Sequence, residues 1–148
     1  MKYFTMNELC ASATAKRKGI DNTPGNTEKE NLIALVEKIL DPLRAAWGAP
    51  VVVTSGFRCK RLNAVVGGAS SSQHVKGQAA DIRAVSDKPE DNRKLRDLIV
   101  SLELPFDQLI DEFGCDWIHV SYRKNGRRQK LSAVRYGGKT IYKQGFIK

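Results

Sequence analysis

The chain has two histidines, three cysteines and, beyond residue 121, not one aspartate or glutamate. Each shortage excludes something. Cys10, Cys59 and Cys115 are odd in number, widely spaced and free of any CxxC pair. That rules out a disulfide framework or a thiolate zinc ribbon and reads as reduced thiols. Cys59 and Cys115 adjoin Arg58 and Asp116, so a thiol ligand or a Cys-His nucleophile stays open as a minority reading. No apolar stretch approaches the roughly 18 residues of a membrane helix. Residues 1–10 hold no apolar signal core or cleavage site, so the expected location as synthesised is the cytoplasm. Zinc-finger spacing, RNP signatures and a recognition helix are missing too, which argues against a specific nucleic-acid reader.

What is present is an ordinary globular composition, with 41% apolar and 28% charged residues in 148. That length predicts one domain over residues 1–148, expected to act as a monomer. The charge is lopsided. Residues 122–148 hold nine bases (Arg123, Lys124, Arg127, Arg128, Lys130, Arg135, Lys139, Lys143 and Lys148), leaving 16 bases against 16 acids in the rest. The formal net charge of +9 therefore resides in the C-terminal segment. Such a block can attract anionic polymers by long-range, salt-sensitive forces, or simply keep the protein soluble.

Hydrophobic periodicity places the elements. After an irregular start ending at Thr23-Pro24-Gly25, Thr27 and Glu30 form a capping box opening a helix, with Leu32, Val36, Ile39, Leu43 and Trp47 inward. Pro42 should bend or interrupt it, and Gly48-Ala49-Pro50 ends it. Residues 50–54 read as a buried strand, 59–66 as a short helix stopped by Gly67-Gly68, and 79–84 as the next strand. Pro89 opens a helix to about residue 103, with Leu95, Leu98, Ile99 and Leu102 inward. Residues 106–110 and 117–122 read as strands joined through Gly114, and 133–136 and 140–143 as a hairpin around Gly137-Gly138-Lys139. Helices before and between antiparallel strands predict an α+β domain.

Both histidines sit near acids. His74 lies seven residues before Asp81, and His119 follows Asp116 by three. Imidazole nitrogen and carboxylate oxygen are good zinc ligands, and a catalytic zinc uses three protein ligands with the fourth position left to water. His74, Asp81 and His119 fill three places, and Asp116 could manage a proton beside them. Spacing alone is equally compatible with two structural histidines and two surface aspartates. Small residues in Gly77-Gln78-Ala79-Ala80 place His74 on a loop that leads into a strand. Alternation in residues 117–122 puts Trp117, His119 and Ser121 on one face.

These motifs carry a resemblance. SxHxxGxAxD (residues 72–81), Trp117-Ile118-His119 and Ser55-Gly56-Phe57-Arg58 resemble the zinc D-Ala-D-Ala carboxypeptidase-like peptidases, relatives of the D,D-dipeptidases, the L-alanyl-D-glutamate endolysins and the hedgehog signalling domain. Residues 20–24, 40–44 and 62–68 are similar to the small, phage- or prophage-borne branch. The resemblance implies a hedgehog/DD-peptidase fold with helices on one side of an antiparallel sheet and one zinc on the open face. Its zinc ligands fall on His74, Asp81 and His119, and its catalytic carboxylate on Asp116, where several relatives carry glutamate. Its arginine falls on Arg58, to grip a substrate carboxylate or oxyanion. Ser72 matches a position that bonds substrate backbone. The implied activity is hydrolysis of a peptidoglycan stem-peptide amide, as a carboxypeptidase or an endolysin-type endopeptidase acting on the cell wall once released. The alternative is a zinc-bearing but inactive wall-binding module, in which the basic segment holds an anionic wall polymer.

Overall fold

The computed structural model describes residues 1–146; Ile147 and the base Lys148 lie outside the described residues. Two short helices, α1 (Met6–Cys10) and α2 (Ala13–Lys18), occupy much of the start expected to be irregular. Thr5 and Ser12 cap them, their hydroxyl oxygens accepting from the amides of Glu8 and Ala15. Helices this short have no periodic apolar stripe to read and form only because Leu9 and Ala15 are buried.

The long helical segment runs as α3 (Asn26–Leu35), a π-helical turn (Val36–Leu40) and α4 (Asp41–Trp47). The expected capping box does not form: Gly25 is the N-cap, and no side chain caps it. Asp21 Oδ1 instead accepts from the amide and hydroxyl of Thr23, closing a turn that leads through Pro24 into the helix, so Thr27 already lies in the first turn. Nor does Pro42 break the segment. In the π-helical turn the Asp41 amide reaches Val36 O, five residues back, and Pro42 falls in the first turn of α4, where its missing N–H is tolerated.

Six strands form one sheet in the order β1 (Val51–Ser55), β2 (Ala79–Ala84), β4 (Trp117–Ser121), β3 (Gln108–Glu112), β5 (Gln129–Tyr136), β6 (Lys139–Gln144). The sheet is mixed rather than wholly antiparallel, because β5 runs parallel to β3. The reason is topological. β3 and β4 are antiparallel, and residues 122–128 carry the chain from β4 across to the far side of β3, so β5 must run as β3 does. β5 and β6 are longer than the expected hairpin, and β3 begins and ends two residues later than expected.

One face of the sheet is apolar. Ala80, Ile82, Leu109, Ile118 and Val120 point into a core shared with Leu32, Leu35, Val36, Ile39, Leu40 and Leu43. Helix α6 (Pro89–Ser101) packs on this side through Leu95 and Ile99, while Leu98 is only half-buried and Leu102, past the helix end, is exposed. Each fully buried leucine contributes about 1.5–3 kcal/mol, so this layer is what holds the sheet flat-on to the helices. Among the described residues no helix is long and apolar enough to cross a membrane.

Candidate metal centre

Strand alternation delivers the polar residues to the opposite face. Asp81 on β2 is directly opposite His119 on β4, with side chains pointing away from the apolar layer occupied by Ala80, Ile82, Ile118 and Val120. His74 arrives from the loop between α5 (Lys60–Val65) and β2. Its Nε2 lies 3.3 Å from Asp81 Oδ1, and His119 Nδ1 lies 3.1 Å from the same oxygen. The three donor atoms all fall within 4.8 Å of one another.

Two glycines make this convergence possible. A Cβ on Gly56 would stand 2.0 Å from the carbonyl oxygen of Leu9, so only glycine lets α1 press against the start of the Arg58 loop. Gly56 O in turn lies 2.7 Å from His74 Nδ1. A carbonyl can only accept, so His74 carries its proton on Nδ1 and keeps the Nε2 lone pair free for a metal beside Asp81. Gly77 has φ +72°, and a Cβ there would meet the Glu28 backbone oxygen at 2.5 Å, which seats the His74 loop on α3.

Arg58 is held in the same framework. Asn22 brackets it, donating to Phe57 O and accepting from the Cys59 amide. The Arg58 amide donates to His74 O. The Ser72 hydroxyl oxygen accepts from the His74 amide at 3.2 Å and from Arg58 Nη2 at 3.4 Å. Ser72 thus spans the two functional loops. Arg58 Nε is buried without a partner, and burial pulls the guanidinium below its ordinary pKa although the Asp81 charge opposes this. A desolvated, under-partnered guanidinium facing a cavity is suited to an anion.

The cavity measures about 920 Å³ and is lined by Arg58, Ser72, His74, Asp81, His119 and Glu112 among others. The structure does not bring Asp116 into it. Asp116 is exposed in the β3–β4 turn, where its backbone oxygen accepts from Asn92 on the helix side. Phe113, Gly114 and Cys115 all have positive φ, so the chain reaches Asp116 through a run of left-handed residues. The carboxylate that faces the cavity is Glu112, opposite Trp117 and in the same row of side chains.

Glu112 is 8% exposed, and burial pushes its carboxyl up to about 7, opposed by the charge of His119 and helped by those of Asp81 and Asp111. Asp81 moves the other way. Burial alone would raise it, but His119 and His74 beside it hold it well below the ordinary carboxylate range. Two acids on one face are thereby separated into a permanent anion and a group that can exchange a proton near neutrality. Cys115 is buried on the helix side with its thiol pushed up to about 12, chiefly by burial, so it is no nucleophile.

The donor set fits zinc. A tetrahedral ion with arms of about 2.0–2.1 Å needs ligand atoms about 3.3 Å apart. The two contacts to Asp81 Oδ1 are 3.3 and 3.1 Å.

Comparison with known proteins agrees with this geometry. A zinc D-Ala-D-Ala carboxypeptidase of Streptomyces albus G is 38% identical over 60 residues, 40% of this chain and 24% of that relative, so the likeness spans about a quarter of its length. The model of the family described as peptidase M15 matches residues 2–121, from before α1 through β4. The chain belongs to the peptidase M15 family.

Proposed function

We propose that the protein is a zinc-dependent peptidase that hydrolyses an amide bond of peptidoglycan stem peptides. The observation that carries this reading is the His74, Asp81, His119 cluster with Glu112 beside it and the Arg58 guanidinium across the cavity. The name of the relative, a zinc D-Ala-D-Ala carboxypeptidase, supports both the metal and the substrate.

His74 Nε2, an Asp81 carboxylate oxygen and a His119 ring nitrogen would hold the ion. Bound zinc supplies Lewis acidity, polarising the scissile carbonyl and acidifying water. Glu112, not Asp116, takes the proton from the attacking water and delivers it to the departing amine, a role suited to a carboxyl poised at about 7. Arg58 neutralises the oxyanion that forms on the carbonyl, or a substrate carboxylate next to it. Ser72, committed to His74 and Arg58, positions both groups rather than binding substrate itself.

Elemental analysis alongside digestion of purified peptidoglycan tests the proposal. It expects zinc near one per chain, cleavage lost when the metal is stripped, and peptide products whose masses name the bond. Zinc without cleavage would instead favour the inactive wall-binding module, and a chain that takes up no zinc would remove the ligand assignment.

A further inference from the structure

The family match ends at residue 121, yet one wall of the cavity is built from the chain beyond it. The hairpin β5–β6 extends the sheet past β3 and presents Leu131, Arg135, Thr140, Tyr142 and Gln144 to the cavity. It is firmly placed. The fully buried Asp107 carboxylate accepts from the Arg127 amide, Nε and Nη2 and from Arg123 Nε, pinning the connecting loop. Gln73, next to His74, donates to Oδ2 of the same carboxylate, which also accepts from Arg127 Nη2.

The register states what this wall offers. Trp117, Glu112, Ala133 and Tyr142 form one row across four strands. Ala133, small and fully buried, is the residue between Glu112 and the half-exposed Tyr142 in this row. The Tyr142 phenol senses the charges of Glu112 and Asp81. One row further on, Arg135 lies with its guanidinium 4.7 Å from the centre of the Phe113 ring. Arg96, Arg123 and Arg127 are all engaged by aspartates, whereas Arg135 has no acidic partner among the described residues. It is exposed on the cavity side, with the Phe113 ring beside its guanidinium. Arg58 stands at the opposite, β1–β2 side of the metal centre.

Resting on the peptidase reading, we propose that β5–β6 forms an acidic-residue subsite. Arg135 takes a side-chain carboxylate of the bound peptide, and Tyr142 donates a hydrogen bond to its backbone. His119 faces Ile110 and Leu131, so Arg135 lies two strand spacings across and four residues along β5 from it, about 16 Å in all, which an extended peptide crosses in about five residues. The recognised acid therefore lies about four or five residues from the cleaved bond. The preferred substrate is an acidic peptide of several residues, longer than a terminal dipeptide.

The test uses two stem peptides identical but for one internal carboxylate, free in one and amidated in the other. Binding to the zinc-loaded full chain is measured by calorimetry and cleavage by mass. The wild type should bind the free acid about tenfold more tightly. Arg135→Ala should abolish that preference by weakening only the acid, Arg135→Glu should reverse it, and Arg135→Lys should restore part of it. Tyr142→Phe should weaken both peptides a few-fold. Lys94→Ala, the same loss of charge at an exposed site on α6, should change nothing. Equal affinity of the two peptides for the wild type, no binding of either, or an equal loss of both in Arg135→Ala would overturn the subsite. A preference in binding with no cleavage of either peptide would keep the subsite and remove the peptidase reading. Cleavage without preference would do the reverse.

Discussion

Asp111 and Glu112 are neighbours in sequence and opposites in environment. Asp111 points to the helix side, where Arg96 Nη1 donates to it at 2.6 Å. Glu112 points to the cavity, has no cation paired with it among the described residues, and is pushed up to about 7. The strand alone decides which carboxylate is paired under the helices and which faces the cavity, since alternate side chains emerge on opposite faces. The same division runs through the sheet: Ile118 and Val120 against His119, Ala80 and Ile82 against Asp81. The helix-covered face supplies the stability, and the cavity face can therefore hold charges that no partner neutralises.

The contrast can be broken from the structural side with the largest effect. Asp111→Ala leaves Arg96 buried beside only the exposed Asp97 and the Phe146 ring. Urea unfolding should show a loss of about 3 kcal/mol, the low end for a broken buried pair because those contacts remain. Turnover per folded molecule should persist, and a loss of turnover with stability intact would move Asp111 into the chemistry.

A smaller effect sharpens it through pH. The Glu112 carboxyl lies above its ordinary value of 4.5 in the folded state, so the protonated form is the one folding favours. Its contribution to stability is complete below that value and is lost as pH rises through about 7. Asp81 and Asp107 are both held low, so their contributions stay constant over this window. The unfolding midpoint of the metal-stripped protein should fall between about pH 5 and 8, and Glu112→Gln should flatten the curve. A midpoint that rises over the window would show that Glu112 is not destabilised by ionisation.

The smallest effect belongs to Asp116. It is exposed and outside the cavity, so Asp116→Ala should change stability by no more than about 0.5 kcal/mol and leave turnover near that of the wild type. A collapse of turnover with zinc retained would return the proton role to it.

The cluster of His74, Asp81 and His119 was legible in the sequence because a protein with two histidines leaves few choices, and strand alternation brings Asp81 to the same face as His119. The strands, the core stripe and the terminal hairpin were legible from alternation and period. The parallel pairing of β3 with β5 was not, because it is set by how residues 122–128 cross over rather than by any local pattern. Glu112 was missed for a local reason: ending the strand at Ile110 removes it from the face it shares with Ile110 and Gln108. Extending the alternation by one step would have found it. Asp116 was placed beside the metal by its distance from His119; the structure sets it in the exposed β3–β4 turn, after left-handed residues that no local pattern announces and outside the cavity lining. The short capped helices at the start carry caps but no stripe, so only their tertiary contacts reveal them.

The most direct test is to measure zinc content and peptide turnover on the same preparation of Glu112→Gln. The account predicts about one zinc per chain and a rate lowered by about 10²–10⁴, the usual worth of a general acid-base. Turnover at the wild-type rate with the metal in place would contradict it.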